Sequence, residues 1–359
     1  MRPKPVITKY LSIQQTLREV KNVLRGRSAH KDKKVSGMRK GISIVLGLLC
    51  LLSCAKDITK VTIAKTPVPK NFTATDIKVI SYNGNDVSCM LFAHRFSQGN
   101  LVYFEIVPAF DVEKITVMFN EKGIPTTKRS WGFRGFFAIA PDQKPGTHNF
   151  TVTIGTKKID IPVVVVRTPF SVSTIPMDLG KFSKKEYLES PEVLEFIRQC
   201  TEKKQKAFAT HYNDLIRGRA FHPRDVHEVN SPFWAKRVYK LHDSISGKTQ
   251  TVERIHRGID LNGNTGDPVY AMLDGIVVLA EMLFYEGNMV IINHGNGMFS
   301  YYMHMDKLYV ASGDTVVAGQ LIGAVGSTGM STGPHLHVSL VVDGVQVNPM
   351  SVVMLPIRD

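Results

Sequence analysis

The chain has 359 residues, which is too long for one compact module and predicts two or three domains with room for a buried core. Lysine and arginine exceed the acidic residues by 14, a balance that suits nucleic acid or a membrane surface when it is spread along a chain. Residues 1–53, however, hold twelve basic side chains and two acidic ones, a net charge of +10, which leaves +4 for the remainder. The charge therefore belongs to the N-terminal region, and no nucleic-acid partner is expected.

This N-terminal region contains an apolar run, GISIVLGLLCLLSC from Gly41 to Cys54, directly after the basic pair Arg39-Lys40. The run is shorter than the roughly 20 apolar residues that span a bilayer. It has the basic start, the apolar centre and the small-residue end of a signal peptide. Its last four residues, LLSC, resemble the lipobox of bacterial lipoproteins, in which the cysteine becomes the acylated first residue of the mature protein.

Residues 1–54 are thus predicted to be a basic leader with a lipoprotein-type signal peptide, for which Met38 is an alternative start. Type I cleavage stays open, because Leu52 is unusual at its place in a lipobox. We expect an exported bacterial cell-envelope protein, held by a lipid anchor and facing the periplasm or the cell wall. Outside the leader only Cys89 and Cys200 remain, and they lie in regions of different character, so two buried thiols are expected rather than a disulfide.

Residues 55–74 are rich in Lys, Thr and Pro without periodicity and are predicted to be a tether. Residues 75–168 contain β-rich runs with turn signals at about ten-residue spacing. This pattern predicts a β-sandwich module of an Ig-like kind. There are six such runs: DIKVISY, NLVYFEIV, KITVMFN, FFAIA, HNFTVTIG and IDIPVVVV. None resembles a catalytic constellation, so a spacer or wall-binding module is expected.

Residues 169–220 are predicted to form a linker and a short helical connector. Ser183 with Glu186 matches a capping box, and Ser190 before Pro191 is typical of an N-cap followed by proline at the first helical position. The apolar residues that follow at roughly helical spacing are Val193, Leu194, Ile197, Cys200 and Phe208.

From residue 221 to the end, glycine-bounded β runs predict a compact antiparallel β domain. Two of its patterns point to chemistry: His256 with Asp260 (HxxxD) and His335 with His337 (HxH). In a strand, residues i and i+2 share a face, so both imidazoles of HxH would point into one volume. The HxxxD pair would lie about 13 Å apart in a strand and needs a turn or bulge at Gly258 to share an ion.

Each pattern is weak in isolation. Together they offer up to three imidazoles and one carboxylate within a single β domain, which is the ligand set that Zn²⁺ prefers. Three protein ligands with an open position would make such a site catalytic rather than structural.

A series of segments between Ser231 and Pro349 carries a more specific resemblance: HRGIDL, then SYYMHMDKLYVASGDTVVAGQLIGAVGSTGMSTGPHLHVSL, then DGVQVNP. In this order they resemble the lysostaphin/LytM-type zinc metallopeptidases of the duplicated hybrid motif superfamily. The resemblance implies that residues 221–359 are a zinc metallopeptidase domain. It also implies one Zn²⁺ in that domain and hydrolysis of the peptide part of peptidoglycan, at stem-peptide cross-links or glycyl bridges.

The resemblance also implies roles for five residues. His256, Asp260 and His337 would be the zinc ligands. His335 would be the general base, and His304 the second catalytic histidine, which donates to the oxyanion or orients the substrate.

An alternative function stays open. Some members of this family have lost metal ligands and activate other cell-wall hydrolases, and an intact site can be covered by a neighbouring segment. A catalytically silent or autoinhibited regulator, with another hydrolase as partner, is therefore the second hypothesis.

Two further features bear on the site. The segment SPFWAKR resembles SxFGxR at the entrance to the family's domain, but Trp234 replaces the small residue there, which leaves the local shape of the groove open. The other histidines of this region lack partners at ligand-like spacing and are expected to be surface or hydrogen-bonded residues; they are His222, His227, His242 and His294.

Overall fold

The computed structural model describes residues 61–73 and 76–359. The predicted leader, with Met38 and Cys54, lies outside these residues, as does the first part of the predicted tether. Among the residues that are described, no helix is both long enough and apolar enough to cross a bilayer. The described chain is mainly β, as predicted.

Nine strands in the first part of the chain form two antiparallel sheets. They are β1 (Lys78–Asn83), β2 (Val87–Ala93), β3 (Leu101–Pro108), β4 (Thr116–Phe119), β5 (Lys122–Gly123), β6 (Thr126–Arg129), β7 (Gly132–Ala138), β8 (Gly146–Ile154) and β9 (Lys157–Val165). One sheet has the order β1-β2-β3-β7-β6 and the other β5-β4-β8-β9. The ring centroids of Phe104 on β3 and Phe150 on β8 lie 5.0 Å apart, so the sheets pack face to face.

The six predicted runs correspond to β1, β3, β4, β7, β8 and β9, and the structure adds β2, β5 and β6. Strand β2 was not predicted. Its sequence, VSCMLFA, mixes strand-forming residues with Cys, Met and Ala, which weakens the strand signal. Strand β7 begins at Gly132, earlier than predicted. A Cβ atom at Gly132 would lie 2.3 Å from the carbonyl oxygen of Ile106, so only glycine lets the two strands approach there. That the sandwich is Ig-like stays a prediction.

The connector contains one more strand, β10 (Val172–Met177), a 3₁₀ turn (Gly180–Ser183) and two helices, α1 (Lys185–Leu188) and α2 (Pro191–Phe208). The prediction of a capping box at Ser183 is wrong. Ser183 ends the 3₁₀ turn, and its hydroxyl accepts a hydrogen bond from the backbone of Leu179 instead. Helix α2 begins at Pro191 as predicted, although the Ser190 side chain makes no cap hydrogen bond.

The C-terminal part is built from thirteen strands and a final 3₁₀ turn (Pro349–Ser351). The strands are β11 (Val229–Ser231), β12 (Lys236–Asp243), β13 (Lys248–Ile255), β14 (Ile259–Asn262), β15 (Pro268–Tyr270), β16 (Gly275–Leu283), β17 (Gly287–Gly295), β18 (Met298–Met305), β19 (Lys307–Leu308), β20 (Thr315–Val316), β21 (Leu321–Ala324), β22 (His335–Val342) and β23 (Val345–Val347). The main sheet runs β11-β14-β22-β18-β17-β16-β20, with β23 beside β22. Smaller sheets are β15-β21-β19 and β10-β12-β13.

Helix α2 covers one face of the main sheet. Its Cys200 and Ala207 are buried in a cluster with Leu279, Ile291 and Phe299 of the sheet. Cys200 is a free buried thiol, and so is Cys89 in the sandwich, as predicted.

The sandwich and the main sheet share one hydrophobic core. Leu101, Tyr103 and Phe136 of the sandwich belong to the same buried cluster as Leu336 of β22 and Met350 near the C-terminus. Because apolar burial is the main stabilising contribution to folding, these surfaces stabilise each other.

A buried ion pair lies at this junction. The fully buried guanidinium of Arg134 on β7 pairs with Asp214 at 3.0 Å and also donates to the carbonyls of Ile216 and Arg358. The segment before the main sheet and the C-terminal end of the chain are thereby fixed to the sandwich.

Residues 61–73, part of the predicted tether, are packed against the main domain rather than free. Ile63 forms an antiparallel bridge with Gln320. Further along, the Asn71 side chain bonds both the backbone N–H and the carbonyl of His227. Phe72 packs its ring edge-on to His227 with centroids 4.7 Å apart. Backbone pairing, the Asn71 hydrogen bonds and the packing of Phe72 together hold this segment to the main domain.

Candidate active site

Three neighbouring strands carry four of the five predicted site residues. Asp260 on β14 is the direct register partner of His337 on β22, and Met303 of β18 is the partner of His337 on the other side. His335 lies two residues before His337 and so on the same face of β22. His304 follows Met303. Pairing between strands distant in sequence thus gathers these side chains.

The fifth residue, His256, lies in the turn between β13 and β14. Its Nε2 is 3.0 Å from Oδ1 of Asp260, although a straight strand would separate the two side chains widely. The turn at Gly258 that HxxxD requires is present. A Cβ atom there would lie within 2.5 Å of Ser339 Oγ, the Val338 carbonyl and His337 Nε2, so glycine is needed for close approach to β22.

Three ligand-type atoms converge at this point. His337 Nδ1 is 2.9 Å from Asp260 Oδ1 and 2.9 Å from His256 Nε2, which is itself 3.0 Å from the same carboxylate oxygen. All three residues are buried. Each atom is within reach of a single ion with ligand bonds of about 2.0 to 2.2 Å.

The ring nitrogens of His256 and His337 that point away from Asp260 are already occupied. His256 Nδ1 donates to the Pro232 carbonyl at 3.0 Å. His337 Nε2 lies 2.9 Å from the Ser339 hydroxyl, which itself donates to the Arg257 carbonyl and therefore accepts from the imidazole. Both inner nitrogens thus present lone pairs, as metal-binding histidines do.

The donor set therefore fits a metal ion. Two imidazole lone pairs and a carboxylate oxygen would repel one another unless a cation or a proton sat between them. Burial opposes ionisation of Asp260, but the positive charge of a proton held between the carboxylate and His256 or His337 outweighs burial and keeps the pKa of Asp260 well below its usual range. Burial lowers the pKa of His337, which favours the neutral ligand form.

The two remaining histidines lie beside this group. His335 Nε2 is 3.7 Å from Asp260 Oδ1, and the ring centroids of His335 and His304 are 4.9 Å apart. His335 Nδ1 donates to the Gly333 carbonyl at 2.8 Å, and His304 Nδ1 donates to the Thr328 carbonyl at 2.9 Å. In the tautomer that these contacts select, Nδ1 carries the proton and Nε2 is left as an acceptor.

His304 is held in a strained conformation. Its φ of 62° lies in the left-handed region, which costs a residue with a Cβ atom about 1 kcal/mol or more. The backbone N–H of His304 donates to the Glu286 carbonyl at 2.9 Å, and the Glu286 carboxylate pairs with Lys204 of α2. Burial, with the neighbouring His337 and His335, lowers the pKa of His304 to about 3, so the ring is neutral near pH 7.

The glycine-rich loop before β22 supports His304. Thr328 provides the carbonyl that His304 bonds, and its hydroxyl accepts from the Asn288 backbone and donates to the Met305 carbonyl. Gly329 has a φ of 72°, and a Cβ atom there would meet the backbone nitrogen of Gly287 at 2.3 Å. The small residues of this loop thus permit backbone contact with the β16–β17 turn.

Arg237 is a site residue to which the sequence pattern assigned no role. From β12, its guanidinium donates to Asp260 Oδ2 at 2.5 Å. Burial opposes its charge, but Asp260 raises the pKa of Arg237 overall. The signals for Arg237 and Ser339 were present, since Arg237 ends SPFWAKR and Ser339 continues the alternation of HLHVS.

Trp234 adopts a left-handed backbone, with a φ of 61°, at the position where the SxFGxR pattern has glycine. Its N–H donates to the carbonyl of His256 at 2.8 Å. Its ring lies 5.5 Å from Phe233 and 6.3 Å from Phe170. Aromatic packing therefore accompanies the strained backbone next to His256.

The other histidines make hydrogen bonds elsewhere. His222 and His227 contact each other at 2.9 Å, His294 bonds Ser300 and the Asp274 carbonyl, and His242 pairs with Asp178. His222 and His294 are buried rather than at the surface.

Comparison with known proteins shows which family the region around this site resembles. Residues 254–349 match the sequence profile of Peptidase family M23 and form a domain of that family. The chain is 46% identical over 95 residues to the peptidoglycan DD-endopeptidase ShyA of Vibrio cholerae, a match covering 26% of this chain and 22% of ShyA. It is 39% identical over 126 residues to the DD-carboxypeptidase/endopeptidase Mpg of Neisseria meningitidis, covering 35% and 27%. The match to each relative thus covers less than a third of its length.

A solved structure of an M23 peptidase from Pseudomonas aeruginosa is similar over a longer stretch. It superposes with a TM-score of 0.50 at 21% identity, over 71% of this chain and 94% of that one. At this identity the likeness establishes the fold alone. The resemblance to M23-type peptidases expected from the sequence is confirmed.

Proposed function

We propose that this chain, which carries a Peptidase family M23 domain, is a zinc-dependent endopeptidase that hydrolyses peptide cross-links of bacterial peptidoglycan. The observation that carries the proposal is the convergence of His256 Nε2, Asp260 Oδ1 and His337 Nδ1, with two further imidazole lone pairs beside them. Imidazole and carboxylate ligands in a set of three suit Zn²⁺ at a catalytic site.

The proposed mechanism divides the work among the histidines. Zinc, when bound, supplies Lewis acidity that polarises a carbonyl oxygen and lowers the pKa of water. His335 Nε2 takes the proton of the attacking water and returns it to the leaving amine. The Gly333 carbonyl fixes the tautomer of His335 in which Nε2 is free to do so.

The geometry favours one of the two roles expected for His304. An oxyanion needs a hydrogen-bond donor. Neutral His304 already donates its Nδ1–H to the Thr328 carbonyl, so its Nε2 can only accept a hydrogen bond. We therefore assign His304 to orienting the attacking water or a substrate N–H. The low pKa of His304 keeps it neutral for this purpose.

The substrate and location follow from the relatives. ShyA and Mpg carry names that describe action on peptidoglycan or on DD-peptide bonds. We propose the same substrate class here, with a cell-envelope location and a lipid anchor at Cys54. Other cell-wall hydrolases are partners under the regulatory alternative.

Digestion of purified cross-linked peptidoglycan, with and without a chelator, tests the function by mass spectrometry of the released muropeptides. We expect chelator-sensitive cleavage of dimers. His337→Ala should lose zinc, whereas His335→Ala should retain zinc and lose turnover. Unchanged muropeptides at saturating zinc, together with activation of a partner amidase, would favour the regulator instead.

A further inference from the structure

The contact between Arg237 and Asp260 identifies which face of the β12–β13 hairpin is turned toward the site. The two strands pair without a register shift from Lys236↔Ile255 to Asp243↔Lys248. In this ladder Arg254 is the direct partner of Arg237. Directly opposed residues of an antiparallel pair share a face. Arg254 therefore lies on the face of the hairpin that is turned toward the site.

Two arginines in direct cross-strand opposition repel each other unless anions compensate them. Arg237 has its anion, Asp260. Arg254 is exposed, and within the described part of the chain its one hydrogen bond is a long contact of 3.4 Å to the carbonyl of Glu253. The Glu253 carboxylate pairs with Lys236, on the other face of the hairpin. Arg254 thus presents an uncompensated positive charge beside the site.

The positive charge of Arg254 also acts on the β16–β17 turn, which hydrogen-bonds the backbone of His304. Burial and Glu286 raise the pKa of Tyr285, and the positive charge of Arg254 offsets part of that rise. Tyr285 lies in the β16–β17 turn, next to Glu286, whose carbonyl receives the N–H of His304. The β16–β17 turn, which receives the N–H of His304, therefore lies within range of the charge of Arg254, while the place of Arg254 beside Arg237 in the hairpin sets it next to the site.

We propose that Arg254 binds a free carboxylate of the substrate peptide near the scissile bond and so selects stem-peptide cross-links over glycyl bridges. The inference rests on the proposed function and adds a substrate class to it. Stem peptides carry free carboxylates beside the cross-link, and an oligoglycine bridge carries none. A guanidinium suits a planar carboxylate because its donors form a fork.

The test compares cross-linked muropeptide dimers that have free carboxylates with the same dimers after conversion of those carboxylates to amides. For the wild-type protein we expect kcat/KM to be about tenfold or more higher on the free acid, as loss of a charge-assisted hydrogen bond implies. Arg254→Gln should lose this preference through KM, with zinc content and thermal stability unchanged. Arg254→Lys should recover part of it.

A matched control lies on the same hairpin. Lys240 of β12 is three residues from Arg237 and so on the opposite face; Lys240→Gln makes the same charge change and should leave the preference intact. Equal wild-type rates on both dimers, or an unchanged preference in Arg254→Gln, would overturn the assignment of Arg254 alone. Failure of the wild-type protein to cleave either dimer would overturn the proposed function together with this inference.

Discussion

Arg237 and Asp260 form an ion pair in which the guanidinium occupies Oδ2 of the carboxylate, while Oδ1 faces the imidazoles of His256 and His337. The arginine therefore holds the carboxylate in the orientation that leaves one oxygen for a metal ion. Arg237 reaches the site from β12, outside the segment that matches the M23 profile.

Replacing Arg237 with Gln should weaken zinc affinity about 10- to 100-fold, the effect typical of losing a group that orients a ligand. Competition with a chromophoric chelator measures this without reference to activity. Arg237→Lys should recover only part of the affinity, because an ammonium lacks the planar fork. Wild-type affinity in Arg237→Gln would show that the pair does not orient Asp260.

The buried pair of Arg134 and Asp214 joins the sandwich to the main domain. Arg134→Met should lower the free energy of unfolding by about 3 to 5 kcal/mol, since Asp214 loses its closest cation inside the protein. Urea denaturation followed by fluorescence measures the change. The exposed pair of Lys128 and Glu113 provides the control, and Lys128→Met should have little measurable effect.

Buried histidines outside the site should make the protein sensitive to acid. Burial lowers the pKa of His222 to about 3 and that of His294 to about 4, against an ordinary value near 6.5. Between pH 6.5 and about 4 the unfolded chain binds more protons than the folded one. Stability is therefore present above pH 6.5 and falls with acidification, by up to about 1.4 kcal/mol per pH unit for each histidine.

Urea titrations at pH 7.5, 6 and 5 measure this loss of stability. His337→Ala is the suitable background, since release of zinc cannot then contribute to the slope. His222→Gln should make the slope shallower. A free energy of unfolding that is constant from pH 7 to pH 5 would contradict the burial of neutral imidazoles.

Trp234 allows backbone strain to be separated from side-chain packing. Trp234→Ala and Trp234→Gly both remove the ring contacts with Phe233 and Phe170, but only glycine adopts a φ of 61° without cost. We expect the glycine variant to be the more stable of the two by about 1 kcal/mol. Thermal unfolding of the two variants side by side is the measurement, and equal stability would argue against strain at this position.

The parts of this site that the sequence predicts are those set by neighbouring residues, whereas contacts between distant segments are not predicted. His335 and His337 were predictable because alternation in a strand is a property of neighbouring residues. The distance between His256 and Asp260 depended on a turn that Gly258 only permitted. Arg237 stood in the recognised segment SPFWAKR, but its contact with Asp260 was not predictable, because that contact follows from the place of one hairpin against a strand of another sheet.

The fold likewise has parts that local sequence patterns predict and parts that depend on contacts between distant segments. Six strands of the sandwich follow from alternation and turn residues, whereas β2 lacks a strong strand composition. The packing of residues 61–73 and the burial of Tyr103 against the main domain depend on surfaces brought together from distant parts of the chain. No local pattern in the sequence reports such contacts.

The common core of Leu101, Tyr103 and Phe136 with Leu336 limits how this chain can be recombined with its relatives. The M23 profile covers residues 254–349, but the apolar surface beneath that segment is completed by strands that precede it by more than a hundred residues. The corresponding segment of an M23 protein, if exchanged into this chain, would have to present the same surface to β3 and β7. The two regions are therefore coupled through one core, although only one of them matches the M23 profile.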